Sequence, residues 1–319
     1  MEPDLIYTSD DRPGISRRRA GRGWSYRAPD GTTIDDREER RRIEGLGVPP
    51  AYRQVWICPE RRGHLQATGL DARTRKQYRY HAEWSAWRAR RKFDALPAFG
   101  AALPRVRRRI AEALGGEAGE RDFALAAVLR LIDRESIRVG SEDYRRENGT
   151  EGATTLRARN LRLTPDGLRI DFRAKGSKRV RRRITDRALA RALHRLADLP
   201  GAPVFEWIDG AERHAVHADH VNDWLKEISG LDDASAKVFR TWNGSVAALE
   251  AAMRAGEAAT IKAMSEAAAE RLHNTPAIAR TSYVHPAVIG LAGRWRDVAV
   301  PEGPAGLRTG ERALLELIG

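Results

Sequence analysis

Tyrosine is scarce in the second half of the chain, and one tyrosine stands in a polar setting. After Tyr144 the sequence has a single tyrosine, Tyr283, which lies nine residues after Asn274. A phenol has a pKa of about 10, so it is a moderate nucleophile that neighbouring groups can activate for covalent chemistry. A lone tyrosine can equally pack in a core, and spacing alone does not separate the two interpretations.

Three other segments carry cations that suit phosphate chemistry. Arg138 follows an apolar helical stretch, Lys175 lies at a predicted hairpin tip, and Arg240 lies inside a helical stretch. A guanidinium group offers a planar fork of donors that matches phosphate geometry, whereas a lysine can give up a proton. The chain has seven lysines against fifty arginines, so a lysine at the hairpin tip favours a need for a titratable proton.

The composition points to a polyanionic partner. Lys and Arg number 57 and Asp and Glu number 44, which gives a net charge of +13 over 319 residues. Such an excess is typical of nucleic-acid binding, although a generally arginine-rich proteome would also produce it. The length predicts about two domains, and it is sufficient to bury a core.

Several kinds of chemistry are excluded or disfavoured. With Cys58 as the single cysteine, an intrachain disulfide and a cysteine-based zinc site are excluded. The sequence has no phosphate-binding loop for ATP hydrolysis, no signal-peptide pattern and no apolar run of about 18 residues, so we expect a cytoplasmic protein without a membrane span. His214, His217 and His220 are the best metal-like cluster, but we interpret them as solvated histidines.

The order of predicted elements gives an α+β fold class. We expect a small β-rich domain over residues 1–82 and a mainly α domain over 83–319 with a small inserted antiparallel sheet, and we expect residues 1–25 to be loosely structured. The predicted strands are 54–59, 65–69, 77–80, 154–156, 161–163, 168–172 and 179–184. The predicted helices are 35–42, 83–96, 104–114, 121–134, 186–198, 217–229, 235–255 and 257–272, with a break at 97–100.

Taken in order, these segments resemble the type IB DNA topoisomerases of the small poxviral and bacterial subgroup, over about residues 54–286. That family has Arg-x-Gly, a lysine near a hairpin tip, Lys-x-x-Arg-Thr-aromatic, His or Asn before Thr-Pro, and a tyrosine nine residues after that His or Asn. The corresponding blocks here are Arg138-Val139-Gly140, Ala174-Lys175, Lys237-Val238-Phe239-Arg240-Thr241-Trp242, Asn274-Thr275-Pro276 and Tyr283. Each block alone is weak evidence, whereas the ordered set is strong.

The resemblance implies the fold shared by tyrosine recombinases and type IB topoisomerases, and it implies a catalytic set. Tyr283 would attack a DNA phosphodiester and leave a 3′-phosphotyrosyl enzyme. Arg138 and Arg240 would donate hydrogen bonds to the non-bridging oxygens, and Lys175 would be the general acid that protonates the departing 5′-oxygen. Asn274 would be a further stabiliser of the transition state.

Two positions depart from the family pattern, and one residue competes for a role. Poxviral and eukaryotic relatives carry His where Asn274 stands, while bacterial members often carry Asn, and relatives commonly carry Asp where Val238 stands. Lys178 is an alternative general acid, because the register of a short hairpin is uncertain from sequence.

DNA binding is assigned by the resemblance together with charge. Gly69 to Tyr80 looks like the N-terminal DNA-contacting strand of the family, and Lys237 is expected to contact DNA or to support Arg240. The candidate DNA-binding residues are Arg73, Arg75, Lys76, Tyr78, Tyr144 and Lys237. Phosphate contacts of this kind weaken with salt, and for Tyr144 simple packing is the alternative.

Two other functions remain as alternatives. A tyrosine recombinase shares the catalytic logic, but recombinases typically have His-x-x-Arg where this chain has Lys237-x-x-Arg240. A non-enzymatic architectural DNA-binding protein explains the charge but not the ordered blocks. We therefore expect a monomeric topoisomerase that acts on duplex DNA at the nucleoid, without a nucleotide, metal, other cofactor or membrane partner.

Overall fold

The computed structural model describes residues 2–164, 167–199, 203–294, 302 and 305–319. The chain divides into two compact units, Met1–Lys92 and Phe93–Gly319. Within the described ranges, no helix is both long enough and apolar enough to cross a membrane.

The first unit is built on a five-stranded antiparallel sheet with the strand order β2-β1-β3-β4-β5. The strands are β1 (Ile15–Ala20), β2 (Gly23–Arg27), β3 (Arg53–Ile57), β4 (Leu65–Leu70) and β5 (Lys76–Tyr80), and helix α1 spans Arg37–Gly45. The core of this unit consists of Ile15, Tyr26, Ile43, Val55, Ile57 and Ala67.

The β1–β2 hairpin lies in the segment that the sequence predicts to be loosely structured, so that prediction is wrong from Ile15 onward. Ile15 is buried, and Arg17 donates hydrogen bonds to three backbone carbonyl groups between residues 48 and 52. In a strand, apolar and polar residues usually alternate with a period of two. The run of three arginines shows no such alternation, because an inward-facing guanidinium can satisfy buried carbonyl groups while its neighbour faces water.

The first unit extends beyond residue 82, where the sequence places the boundary. Helix α2 (Ala82–Asp94) contains the boundary at Lys92. Trp84, near its start, is buried and packs edge-on against Tyr7 and His64 of the first unit. This apolar contact explains why the beginning of the helix belongs with the sheet.

The second unit is mainly helical, and its core includes nine of the fifteen residues of helix α4. Its helices are α3 (Leu96–Ala113), α4 (Arg121–Glu135), α5 (Glu142–Asn148), α6 (Arg187–Ala197), α7 (Ala218–Ser229), α8 (Lys237–Ala255), α9 (Ile261–Leu272), α10 (Pro276–Tyr283), α11 (Pro286–Ile289) and α12 (Thr309–Ile318). The predicted break at 97–100 is wrong, because proline is tolerated in the first turn of a helix and Pro97 lies there in α3.

A buried ion-pair network ties helix α12 to the core. Arg107 on α3 lies 2.9 Å from an oxygen of Asp133 on α4 and 2.7 Å from an oxygen of Glu311 on α12. Trp242 on α8 donates to the same Glu311 carboxylate at 3.4 Å. The helices that flank the candidate residues are thus joined by hydrogen bonds as well as by apolar packing.

The inserted sheet has the order β6-β7-β8 and is antiparallel, as predicted. Its strands are β6 (Leu161–Thr164), β7 (Gly167–Ala174) and β8 (Lys178–Ile184), and an unpredicted hairpin of β9 (Glu206–Asp209) and β10 (Glu212–Ala215) follows. The strand predicted at 154–156 is wrong, since Ala153–Thr155 forms a 3₁₀ turn whose backbone bonds to the segment after α4. The predicted α+β fold class is confirmed.

Candidate active site

Arg138 lies in the short segment that follows helix α4. Ser136 takes a left-handed conformation with φ 55° and ends the helix. Gly140 has φ +99°, and a β-carbon there would lie 3.1 Å from the Cα of Gly152, so this position requires glycine. The backbone N–H of Ala153 donates to the carbonyl of Arg138 at 2.8 Å, which holds Arg138 in place.

Arg240 is buried inside helix α8, with 3% of its surface exposed. It donates to the backbone carbonyl of Ser136, and its Nη2 donates to that of Leu272 at 2.9 Å. Burial, followed by the charge of Arg138, lowers the pKa of Arg240 to about 10, so it remains charged at neutral pH. Its Nε has no hydrogen-bond partner within the described part of the chain. A bound anion would satisfy this charged donor.

Asn274 is the second residue after the end of helix α9. His273, which lies between the helix and Asn274, has a left-handed backbone with φ 55°. The Oδ1 atom of Asn274 accepts a hydrogen bond from Nη2 of Arg138 at 2.7 Å. Its Nδ2 is buried and has no partner among the described residues. Asn274 therefore orients Arg138 through its oxygen and keeps a donor through its nitrogen.

Tyr283 is the last residue of helix α10, and its ring centroid lies 5.0 Å from Cζ of Arg240. Burial raises the pKa of the phenol, but the charge of Arg240 and a hydrogen bond with it, together with the charges of Arg138 and Lys237, lower it by more in sum, so the pKa lies below its ordinary value. Lys237 is exposed at the start of α8, one turn before Arg240. A lower pKa makes the phenol easier to activate as a nucleophile.

Two small residues of α8 hold the backbone of Tyr283. The buried hydroxyl of Ser245 donates to the carbonyl of Tyr283 at 3.2 Å and accepts from the N–H of His285 at 2.9 Å. A β-carbon on Gly244 would lie 3.1 Å from the same carbonyl oxygen. The backbone of Tyr283 therefore rests directly on the helix that carries Arg240.

Lys175 lies at the tip of the β7–β8 hairpin, in the 3₁₀ turn Lys175–Ser177, where Gly176 has φ 76°. Its Nζ atom lies 5.3 Å from the ring centroid of Tyr144. Within the described residues, this ammonium group has no hydrogen bond or ion pair. The alternative acid Lys178 is exposed and pairs across the hairpin with Ala174.

The structure places four of the five predicted catalytic residues in two contacting pairs, Arg138 with Asn274 and Arg240 with Tyr283. Arg240 links the pairs, because it bonds to the carbonyls of Ser136 and Leu272, which lie two residues before Arg138 and Asn274. Within the described residues, the Lys175 ammonium on its hairpin makes no hydrogen bond or ion pair with these four. One loop connects the two groups, because the N–H of Glu151 bonds to the carbonyl of Arg173 at 2.7 Å, and the N–H of Ala153 bonds to that of Arg138.

The candidate DNA-binding residues of the first unit lie on the β4–β5 hairpin. They are Arg73, Arg75, Lys76 and Tyr78. Asp71 shapes the turn by accepting from the backbone N–H groups at 73 and 75. Lys76 is exposed and pairs with Asp10 at 2.6 Å. Tyr78 is 49% exposed and stacks on Tyr80, another exposed tyrosine.

The histidine cluster makes local contacts. The backbone N–H of His217 donates to Nδ1 of His220 at 3.2 Å, and the ring of His214 stacks on Trp207 with 5.2 Å between centroids. Nowhere in the described ranges do three His, Cys, Asp or Glu side chains form a group that could hold a metal ion.

Sequence reasoning did not identify three residues that hold the backbone of the site: Ser136, Gly244 and Ser245. The adjacent Gly244 and Ser245 carry a usable signal, because two small residues inside a helix mark the close approach of another backbone. Ser136 gives no local signal, since its partner Arg240 is distant in sequence.

Comparisons with known proteins give two family matches and one relative. Residues 23–71 match the model of the N-terminal domain of bacterial DNA topoisomerase IB, and residues 81–281 match the catalytic core of eukaryotic DNA topoisomerase I. The DNA topoisomerase 1B of Acanthamoeba polyphaga mimivirus is 25% identical, with 85% of each chain covered. The catalytic-core match spans more than half of the residues of the chain. The chain therefore belongs to the DNA topoisomerase I family, as a type IB DNA topoisomerase.

Proposed function

We propose that the catalytic set of this topoisomerase consists of Tyr283, Arg138, Arg240, Asn274 and Lys175. The observation that carries the proposal is the contact of Tyr283 with Arg240 beside the Arg138–Asn274 hydrogen bond. These groups surround two buried donors without partners in the described part of the chain, Arg240 Nε and Asn274 Nδ2. A phosphodiester would supply acceptors for both.

The reaction is an in-line displacement at phosphorus. Oη of Tyr283 forms a bond to phosphorus as the P–O5′ bond breaks, which leaves the enzyme on the 3′ end of the cut strand. The phenolic proton passes to water, and the departing 5′-oxygen takes a proton from Lys175. The duplex then rotates about the intact strand, and the 5′-hydroxyl attacks the phosphotyrosine to reverse each transfer.

The charges of the site suit this reaction. Arg138 and Arg240 neutralise the negative charge that grows on the non-bridging oxygens, and a buried donor acts strongly because water does not screen it. The phosphotyrosyl bond conserves the energy of the broken linkage, so resealing needs no nucleotide. We assign the charge neutralisation to the two guanidinium groups and expect no metal requirement.

DNA binding would use both units of the chain. We assign DNA clamping to the β-rich first unit and catalysis to the second unit, in a monomer acting on duplex DNA at the nucleoid of the cytoplasm. The net charge of +13 and the exposed Lys76 and Tyr78 support a phosphate-binding surface in the first domain. Tyr144 and Lys237 are the corresponding candidates in the second.

Plasmid relaxation with a chelator and without nucleotide tests the proposal. We expect the wild-type enzyme to relax supercoils, and Tyr283→Phe to lose relaxation and the denaturant-resistant DNA adduct while it keeps its duplex affinity. Tyr7→Phe removes a hydroxyl from an exposed tyrosine of the first unit and should relax normally.

Two results would contradict the proposal. An adduct formed by Tyr283→Phe would show that another residue is the nucleophile. Strand exchange between two marked duplexes would favour the recombinase alternative, which the family matches do not support.

A further inference from the structure

His273 occupies a backbone position at which glycine would be the simplest choice. It ends helix α9 with φ 55° and ψ 41°, a left-handed conformation that residues with a β-carbon rarely adopt. The N–H of Asn274 bonds back to the carbonyl of Ala269 at 3.0 Å, and glycine would allow the same turn. The backbone alone therefore does not explain a histidine here.

The side chain of His273 makes a specific contact. Its Nε2 accepts a hydrogen bond from Nε of Arg182 at 3.1 Å, and Nη2 of Arg182 donates to the carbonyl of Glu270 at 3.1 Å. Burial, with the charge of Arg182 next in size, lowers the pKa of His273 to about 4. The imidazole is therefore neutral at physiological pH and remains an acceptor.

Arg182 belongs to the strand that leads away from Lys175. On β8 it lies two residues from each of the buried residues Val180 and Ile184. Because side chains two apart on a strand share a face, Arg182 lies on the inward face of the hairpin. Its contact with His273 joins this hairpin to the end of α9, one residue before Asn274. The hairpin that carries Lys175 and the loop that carries Asn274 are thereby joined.

We propose that His273 is a positioning residue that, through Arg182, fixes the Lys175 hairpin relative to Asn274, so that the proton donor and the phosphate-binding groups act on the same phosphodiester. The inference rests on the proposed role of Lys175 as general acid. It predicts that loss of the His273 side chain slows the protonation of the leaving oxygen and has little effect on the attack by Tyr283.

A sulfur atom in place of the bridging 5′-oxygen separates these two effects. Cleavage then breaks a P–S bond and releases a thiolate, which needs no proton because thiol pKa values are only about 8.5. Release of the oxygen leaving group, in contrast, does need a proton. A defect in proton delivery should disappear on the sulfur substrate, whereas a general structural defect should remain on both.

The experiment measures single-turnover adduct formation, with enzyme in excess, on matched oxygen and sulfur duplexes at a cleavage site mapped by adduct trapping. Lys175→Ala should slow oxygen cleavage by about 10²–10⁴, and the sulfur substrate should restore it. His273→Gly and Arg182→Met should slow oxygen cleavage by up to about 100-fold, the cost of a misplacement of about 1 Å, with sulfur cleavage near the wild-type rate.

Two further variants sharpen the result. His273→Gln, whose amide oxygen can accept from Arg182, should recover part of the oxygen rate. Arg181→Met removes an exposed charge from the neighbouring position on β8, and it should leave the ratio of oxygen to sulfur rates unchanged.

Failure of the inference is distinguishable from failure of the proposed function. If sulfur restores Lys175→Ala but not His273→Gly, or if His273→Gly cleaves oxygen at the wild-type rate, the positioning role is wrong and the role of Lys175 stands. If sulfur does not restore Lys175→Ala, the role of Lys175 is wrong and the inference falls with it.

Discussion

Gly244→Ala should slow DNA cleavage by disturbing the backbone of Tyr283, the proposed nucleophile. The new β-carbon would lie 2.8 Å from Cδ1 of Leu272, 3.1 Å from the carbonyl oxygen of Tyr283 and 3.3 Å from its Cβ. Carbon contacts normally lie at about 3.5–4.0 Å, so these groups must move apart by roughly 0.5 Å. Leu272 is fully buried and cannot simply swing into solvent.

The size of the effect follows from this displacement. A misplacement of about 1 Å costs on the order of 100-fold in rate, so a shift of half that size should cost about 10-fold. Overpacking destabilises by about 1–3 kcal/mol, and the better helix propensity of alanine offsets about 1 kcal/mol of this. We therefore expect a folded protein with a small loss of stability.

Single-turnover adduct formation measures the rate, and duplex affinity and thermal unfolding are measured in parallel. Gly45→Ala in helix α1 is the matched control, because a β-carbon there meets open space, and it should cleave at the wild-type rate. A Gly244→Ala enzyme that cleaves as fast as wild type, or that loses only affinity, would refute the close-approach argument.

Three other changes probe the site, the core and the DNA-binding hairpin. Arg138→Lys keeps a positive charge but loses the fork that bonds Asn274, so adduct formation should fall by about 10²–10³ while duplex binding persists; an unchanged rate would exclude a role for the fork. Burial raises the pKa of Glu311, but the hydrogen bonds and charge of Arg107, together with those of Arg308, lower it by more in sum. The ionised form therefore stabilises the fold above the ordinary pKa of 4.5, and this contribution is lost as pH falls below that value. Glu311→Gln should therefore cost about 3 kcal/mol in urea unfolding at pH 7, and the difference from wild type should shrink under acid conditions; a constant difference would contradict the ion-pair argument. Lys76→Ala should reduce the slope of log affinity against log salt by about 0.9 in anisotropy titrations, and an identical slope would remove Lys76 from the DNA contacts.

The sequence was most informative where function constrains residue type within a short segment. The hairpin tip at Lys175 was predicted from its local segment, and the structure has it. Gly140 was named only through the resemblance, and the structure shows why glycine is needed there. The strand at Ile15–Ala20 could not be predicted in the same way, because its inward-facing arginine is satisfied by carbonyl groups more than thirty residues away.

The interactions that assemble the candidate site could not be predicted from the sequence either. Arg240 bonds to the carbonyl of Leu272, 32 residues later, and Arg138 bonds to Asn274, 136 residues later. The hydrophobic periodicity of a segment does not predict such pairings, since each depends on how whole helices pack. The resemblance supplied the residue list, but the role of the Asn274 oxygen in holding Arg138 came only from the geometry.

The network of Arg107, Asp133 and Glu311 has a consequence for the order in which the protein becomes active during synthesis. A nascent chain exposes Tyr283 before residues 309–318 have left the ribosome. Until then Arg107 lacks one of its two carboxylates, and helix α8, which carries Arg240, lacks the packing of α12. Translation therefore exposes Tyr283, the proposed nucleophile, before helix α12 can complete the packing around Arg107 and helix α8.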